Sequence, residues 1–330
     1  MGDVQPIVST GHLPRADLVQ ELVAEAHARY RSNAEGANSR VYPALERARS
    51  DDFGLCVVGT NGRVYRAGDA DVPFTIMSVS KPFVFALVCQ ALGADAARAR
   101  LGVNSTGLPF NSLEAIEQRG DGRTNPMVNS GAIAATSLVP GDSAEARWQA
   151  IHDGLSRFAG RALEVDGEVY ASASATNSRN QEIARALDRH GRIDGDPAEV
   201  TDLYTRQCAL SVSAFDLAVM GATLADGGVN PITRERVVDA ETCRYTLAVM
   251  TTAGLYETSG DWLYDIGLPG KSGIGGGIVT VAPGKGGLGT YAPPLDDAGN
   301  SVRGQLATRF LSTALGLNIF VSAPEHEPAR

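Results

Sequence analysis

Segments with the residue pattern of β-strands lie in the first and last parts of this 330-residue chain, and the segments between them read as helices. Residues 53–59 and 63–66 flank Asn61-Gly62, a dipeptide typical of a tight hairpin turn. Strand character returns at residues 277–282 and 288–291. Because strands need partners, the two groups are expected to meet in one sheet. This order predicts an α+β fold with a site in the crevice between a sheet lobe and a helical lobe.

The helical segments share apolar residues at helical spacing and are separated by clusters of Gly, Pro, Asn and Asp. They cover residues 18–31, 83–88, 131–138, 144–159, 178–189, 212–225, 243–252 and 303–315. We expect residues 1–330 to form a single domain of two lobes. In this division, residues 1–81 and 260–330 form the sheet lobe and residues 82–259 form the mostly helical lobe.

Composition excludes several classes of partner. The formal net charge of −9, with no basic cluster in the sequence, argues against nucleic acid and against an anionic membrane surface. No apolar run approaches the roughly 18 residues of a membrane-spanning helix. The stretch from Met1 to Pro6 lacks the features of a signal peptide. The four cysteines and five histidines are dispersed rather than spaced as metal ligands. We therefore expect a cytoplasmic enzyme or binding protein without a metal or other cofactor.

Lysine is rare in this chain, since only three of its 29 basic residues Lys and Arg are lysines. A lysine that is retained among so many arginines can do what arginine cannot, which is to lose a proton near neutral pH. Lys81 lies three residues after Ser78, and Pro82 restricts the start of the following helix to this region. Ser78 and Lys81 would then share one helix face, as a nucleophile and its base require.

The other two lysines lie in glycine-rich segments. Lys271 begins the string KSGIGGG at residues 271–277, where a strand edge is able to supply an oxyanion-binding N–H group. The glycine spacing fits neither a Walker loop nor a dinucleotide loop, and a plain turn between strands accounts for it equally well. Lys285 falls in no such string and is interpreted as incidental.

Serine-x-x-lysine followed much later by KSG resembles the penicillin-recognising serine acyl-enzymes, and a longer set of strings resembles the serine-dependent glutaminases more closely. These strings are FTIMSVSK (74–81), PFNS (109–112), NPMVNSGA (125–132), SRN (178–180), YTRQC (204–208), GLYETSG (254–260) and KSGIGGG (271–277). Their order and spacing hold over residues 36–317. The resemblance implies a β-lactamase/penicillin-binding-protein-like fold, with an antiparallel sheet flanked by helices.

The resemblance also implies an activity, the hydrolysis of L-glutamine to L-glutamate and ammonia, in a homo-oligomer that is often a tetramer. It assigns the nucleophile to Ser78, its base to Lys81, and the relay of a proton to ammonia to Tyr204 or Tyr256. The implied substrate-binding groups are the side chains of Asn129, Asn180, Tyr204 and Tyr256 and the backbone N–H groups of Ser78 and Ile274, with Lys271 as a possible addition.

The chain departs from the family pattern at two positions that matter. Family members usually carry a glutamate that binds the substrate ammonium where this chain has Ala173, and a tyrosine where it has Val41, next to Tyr42. Loss of such a charged contact typically costs about 2–5 kcal/mol. Either glutamine is still the substrate, with its ammonium held by another acid such as Glu168 or by water, or the pocket accepts an amide whose α-nitrogen is uncharged or acylated.

Two further alternatives are open at this stage. A penicillin-recognising hydrolase or peptidase is disfavoured by the missing export signal and by the string around Tyr256. A degenerate, non-catalytic binding protein is favoured by Ala173 and Val41. The retained Ser78 and Lys81 argue against it.

Overall fold

The computed structural model describes residues 11–118 and 120–323 and is built around a five-stranded antiparallel sheet. The strands in chain order are β1 (Gly54–Gly59), β2 (Val64–Gly68), β3 (Phe74–Thr75), β4 (Glu164–Val165), β5 (Leu210–Val212), β6 (Gly270–Ser272), β7 (Gly277–Ala282) and β8 (Gly286–Tyr291). The large sheet has the order β2-β1-β8-β7-β6. Val57 of β1 lies opposite Leu288 of β8, so strands from both parts of the chain share one sheet, and the α+β prediction is confirmed.

Fourteen α-helices surround this sheet within the described residues. They are α1 (Ala16–Tyr30), α2 (Pro43–Glu46), α3 (Lys81–Leu92), α4 (Ala94–Leu101), α5 (Glu114–Glu117), α6 (Asn129–Ser137), α7 (Ala144–Ala159), α8 (Gly167–Ala175), α9 (Ser178–Arg189), α10 (Pro197–Cys208), α11 (Ala214–Ala225), α12 (Ala240–Ala253), α13 (Ser259–Ile266) and α14 (Val302–Ala314). The sequence patterns located α7 and α9 to the residue and missed α2, α4, α5, α8, α10 and α13.

The helix predicted from residue 212 begins two residues later, at Ala214. Val212 ends β5, because Ser213 caps the helix instead: its hydroxyl accepts the N–H of Asp216, and the Asp216 carboxylate accepts the N–H of Ser213. This reciprocal pair satisfies two N–H groups at the helix start and fixes where strand becomes helix.

Helix α11 lies against one face of the sheet, and glycine makes that close approach possible. A Cβ atom at Gly289 would lie 1.9 Å from the carbonyl oxygen of Ala214, and one at Gly287 would lie 2.3 Å from that of Ala218. The other face is covered by α1 and α14, with Val23 and Phe310 in one apolar cluster with Leu55. The sheet is therefore buried on both faces. The lobe boundaries near residues 81 and 260 stay a prediction.

A second, three-stranded sheet has the order β3-β5-β4. It includes the residues just before Ser78, and the N–H of Ile76 donates to the carbonyl oxygen of Leu210 at 2.8 Å. These bonds hold the chain in place where it turns into α3. Within the residues described, no helix is long and apolar enough to cross a membrane.

Candidate active site

Ser78 lies in a 3-10 turn, Met77–Ser80, that leads directly into α3. Pro82 occupies the first turn of α3, where proline removes no helical hydrogen bond. Met77 has a φ of 46°, a left-handed conformation that is uncommon for a residue other than glycine and that occurs mainly where function requires it. The chain is thus turned sharply at Ser78, whose side chain lies almost buried at the foot of a pocket.

Lys81 is 1% exposed, and its Nζ donates to the Oδ1 of Asn129 at 2.7 Å. Burial disfavours the charged ammonium and lowers the pKa of Lys81 to about 7. A large fraction of this side chain is therefore a neutral amine at neutral pH, which is the form that accepts a proton.

A directional chain of hydrogen bonds begins at Lys81 and runs through three asparagines. The donor-to-acceptor links after Lys81 are Asn129 to Asn180 at 2.9 Å, Asn180 to Asn177 at 2.7 Å, Asn177 to Thr205 at 2.6 Å and Thr205 to the carbonyl of Thr201 at 2.7 Å. The Tyr204 hydroxyl also donates to the Oδ1 of Asn129, at 3.2 Å. Because the last link ends on a backbone carbonyl, which only accepts, the orientation of each carboxamide is fixed.

Tyr256 lies next to Ser78. It has a φ of 55°, and its hydroxyl donates to the carbonyl oxygen of Ser272 at 3.3 Å and lies close to the side chain of Ser78. Burial raises the pKa of Tyr256 to about 12, so the phenol keeps its proton at neutral pH. A protonated hydroxyl is therefore held beside the nucleophile, where it is available as a donor.

Lys271 does not line the pocket, although it was the possible additional substrate-binding residue. It is 0% exposed, its Nζ donates to the carbonyl oxygen of Ser272 at 2.7 Å, and it lies 4.2 Å from the ring centroid of Tyr256. Burial, reinforced by the charge of Lys81, lowers the pKa of Lys271 well below that of an ordinary lysine. Its position supports the Tyr256 ring rather than the substrate.

Two backbone N–H groups point to an oxyanion site. Among the described residues, neither the N–H of Ser78 nor that of Ile274 donates to any acceptor. The two segments are close, since a Cβ atom at Gly273 would lie 3.2 Å from the nitrogen of Ser78. A glycine at 273 favours this approach, because a side chain there would crowd the turn at Ser78. Unpaired N–H groups beside a nucleophile are the geometry that stabilises a tetrahedral oxyanion.

The pocket above Ser78 is lined by both polar and apolar side chains, of which only that of Arg179 is charged. The lining consists of Val41, Tyr42, Met77, Ser78, Phe110, Asn111, Asn129, Thr176, Asn177, Arg179, Asn180, Tyr204, Cys208 and Ile274. Five of the eight predicted site residues belong to this lining. Lys81 contacts the lining through its bond to Asn129, and Tyr256 lies close to it at Ser78. Within residues 11–118 and 120–323, no group of three or more His, Cys, Asp and Glu side chains is placed to hold a metal ion.

Comparison with known proteins identifies the family. The sequence profile described as Glutaminase matches residues 36–320, most of the chain. The chain belongs to the glutaminase family. It is 69% identical over 320 residues to "Glutaminase 2" of Yersinia pestis, covering 97% of this chain and 94% of that protein. It is 46% identical over 307 residues to the glutaminase of Brucella canis, covering 93% and 97% of the two chains.

Solved glutaminase structures share the fold. One described as a probable glutaminase, ybaS, matches with a TM-score of 0.92 and 42% identity, covering 94% of this chain and all of that one. A structure titled as Mglu in its glutamate form matches with a TM-score of 0.88 and 36% identity, covering 94% and 72%. The predicted β-lactamase-like glutaminase fold is confirmed, and the chain is an amidohydrolase that acts on glutamine.

The sequence suggested Glu168 as a substitute partner for the substrate ammonium, but this residue lies outside the pocket of this glutaminase. Its carboxylate is paired with Arg47, and both side chains are more than half exposed and outside the pocket lining. Ala173 is buried in α8. Val41 and Tyr42 both line the pocket, and Tyr42 is hydrogen-bonded to Asn180.

Sequence reasoning assigned no role to several pocket residues. Tyr42, Thr176 and Asn177 enter the site through contacts between distant segments, and no local pattern marked them. Arg179 and Cys208 lie in the SRN and YTRQC strings, but the strings do not indicate what they do. Burial raises the pKa of the Cys208 thiol to about 11, so it is a neutral neighbour of Lys81 rather than a second nucleophile.

Proposed function

We propose that this chain hydrolyses the side-chain amide of L-glutamine through a covalent acyl-enzyme on Ser78. The observation that carries this proposal is the set of groups around one hydroxyl. Ser78 lies close to the protonated hydroxyl of Tyr256, it lies one turn before a lysine whose pKa is about 7, and two unpaired backbone N–H groups are close to it. Amide hydrolysis needs each of these: a nucleophile, a base, oxyanion donors and an acid for the leaving amine.

In the acylation step, the neutral amine of Lys81 takes the proton of Ser78, and Oγ forms a bond to the carboxamide carbon. The N–H groups of Ser78 and Ile274 hold the oxyanion. The C–N bond then breaks, and ammonia leaves with a proton that Tyr256 donates and recovers from Lys81. Tyr256 is favoured over Tyr204 for this relay because its hydroxyl lies close to Ser78, whereas the Tyr204 hydroxyl donates to Asn129.

In the deacylation step, a water molecule gives a proton to Lys81 and attacks the ester carbon. The C–Oγ bond breaks, Ser78 recovers its proton, and glutamate leaves. Asn129 and Asn180 are proposed to bind the amino-acid end of the substrate, held in orientation by the chain that ends at Thr201. The homo-oligomer and the cytoplasmic location remain predictions that rest on the resemblance and on the sequence.

Hydroxylamine trapping tests the acyl-enzyme directly. With L-glutamine as substrate, we expect ammonia and glutamate in equal amounts. Added neutral hydroxylamine should divert product to γ-glutamyl hydroxamate without slowing ammonia release, because both acceptors attack the same ester. Ammonia and hydroxamate are measured in parallel at constant pH. Ammonia release without any hydroxamate over a wide hydroxylamine range would argue for direct attack by water and against acylation of Ser78.

The pH dependence of kcat/KM should report the base. Lys81 accepts a proton only when neutral, and its pKa is about 7. Activity is therefore expected to level off above pH 7 and to fall about tenfold per pH unit well below it. The measurement is kcat/KM for glutamine from pH 5.5 to 8.5 at constant ionic strength. A flat profile from pH 5.5 to 7.5 would contradict the assignment of Lys81 as the base.

A further inference from the structure

The part of the pocket that lies away from Ser78 carries no negative charge. We call it the α9 wall and define it by Tyr42, Thr176, Asn177, Arg179 and Asn180. It offers a phenol, a hydroxyl and two carboxamides, all neutral, together with one guanidinium. Free glutamine presents both a carboxylate and an ammonium there. The guanidinium suits the carboxylate, whereas the ammonium has only neutral acceptors to replace its water.

Acidic side chains near this wall in sequence are engaged on the outside of the molecule. Glu168 is paired with Arg47, and Glu182 is paired with Arg179 at 3.1 Å with both side chains about half exposed. Among the described residues, none of the side chains that line the pocket is a carboxylate. An ammonium at the α9 wall therefore gains no ion pair from the pocket lining.

A groove borders the pocket and shares Val41, Phe110 and Ile274 with its lining. Asp296 and Asp297 lie in this groove, beyond those three shared residues. The Asp296 carboxylate already accepts the N–H groups of Ala298 and Asn300 and the amide of Gln305. These two carboxylates therefore line the groove and not the pocket.

We infer that the pocket accepts, as a second substrate class beside free glutamine, γ-carboxamides whose α-nitrogen is uncharged or absent. N-acylated glutamines belong to this class, and so does 4-carbamoylbutanoate, which is glutamine without its α-amino group. This inference rests on the proposed function, because the reaction at Ser78 is the same. An uncharged α-substituent avoids the desolvation of an unpaired cation, while the carboxylate can still contact the guanidinium of Arg179, which it would share with Glu182.

The residue at position 173 determines whether a negative charge lies next to the pocket. Ala173 is buried, and it follows Val169 by one turn on the same face of α8. Val169 packs in one cluster with Met77 and Ile274, which line the pocket. The neighbouring Ser172 accepts the N–H of Ala44, which ties α8 to the segment that carries Tyr42. A carboxylate placed at 173 would therefore add a negative charge on the buried side of α8, next to the pocket.

The test compares kcat/KM for L-glutamine, N-acetyl-L-glutamine and 4-carbamoylbutanoate, with ammonia release as the readout. In the wild type, we expect the three values to lie within about tenfold of each other, since no ion pair discriminates between them. Ala173→Glu should shift the ratio of glutamine to 4-carbamoylbutanoate by about 30-fold or more toward glutamine, the effect of one buried charge pair. Ala173→Gln has the same size without the charge and should leave the ratio within about threefold.

A second measurement needs no variant at position 173. Glutarate should inhibit the wild type about as well as L-glutamate does, because the two products differ only in the ammonium. Asp297→Asn should leave the substrate ratio unchanged. Loss of glutamine turnover in Asp297→Asn would identify Asp297 as the ammonium partner and overturn the inference.

The outcomes separate this inference from the proposed function. Ammonia from glutamine, with both analogues more than about 100-fold poorer substrates, would overturn the second substrate class and leave the acyl-enzyme proposal intact. No hydroxamate from any of the three substrates would instead overturn the acyl-enzyme proposal. Comparable turnover of all three, with glutarate and glutamate equal as inhibitors, would support both.

Discussion

Ser78→Ala is expected to lower kcat for glutamine by about four orders of magnitude or more, the largest effect of any single substitution proposed for this chain. The substitution removes the one atom that forms the acyl-enzyme. Lys81, Tyr256 and the N–H of Ile274 would remain in place, but they would act on water rather than on a positioned nucleophile. The measurement is ammonia release at saturating glutamine, with enzyme concentrations high enough to detect the residual rate.

Two controls distinguish lost chemistry from lost structure. The Ser78→Ala protein should keep its melting temperature and should still bind L-glutamate, since it lacks only the one hydroxyl close to Tyr256. Ser80→Ala removes another buried hydroxyl from the same turn, one that donates to the carbonyl oxygen of Met77 at 2.8 Å. It should reduce kcat by less than about tenfold, because its hydroxyl is outside the reaction. If Ser78→Ala and Ser80→Ala were equally active, Ser78 would not be the nucleophile.

The elements that the sequence predicted well are those with strong local signals. Asn61-Gly62 closes the β1–β2 hairpin, and Gly62 has the positive φ of 79° that this turn needs. Helix α7 begins at the capping Ser143 and ends at the left-handed Gly160. Helix α10 has comparable signals in Asp196 and Pro197 and was still missed. The sheet β3-β5-β4 has strands of only two or three residues, which are too short to show a period.

For the site, ordered strings located the residues near Ser78, whereas the neighbours set by tertiary contacts were not predictable. The link from Asn177 to Thr205 joins the start of α9 to α10, and neither residue carries a local signature. Lys285 was interpreted as incidental because it matches no string. In the structure it is 5% exposed and donates to the carbonyl oxygen of Gly316 at 3.0 Å, which is a structural contact that only the fold creates.

Lys81→Arg is expected to lower kcat by about a thousandfold, although the two residues are often treated as equivalent. A guanidinium remains protonated, so it can donate to Asn129 as Lys81 does but cannot accept the proton of Ser78. Lost general-base catalysis of this kind is worth about 100- to 10,000-fold. Arginine is also larger than the site allows, since Lys81 is only 1% exposed. A loss of activity in this variant alone would therefore have two explanations.

Lys81→Met distinguishes the loss of the base from the effect of a larger side chain, because methionine fills the same buried space without a charge or a base. It should lose activity as severely as Lys81→Arg. It should also melt at or above the wild-type temperature near pH 6, where folding of the wild type requires an ammonium to lose its water or its proton. Oδ1 of Asn129 keeps the Tyr204 hydroxyl as a donor, so the asparagine chain retains its orientation. An inactive but stable Lys81→Met protein assigns the loss to proton transfer, whereas kcat within tenfold of wild type in either variant would exclude Lys81 as the base.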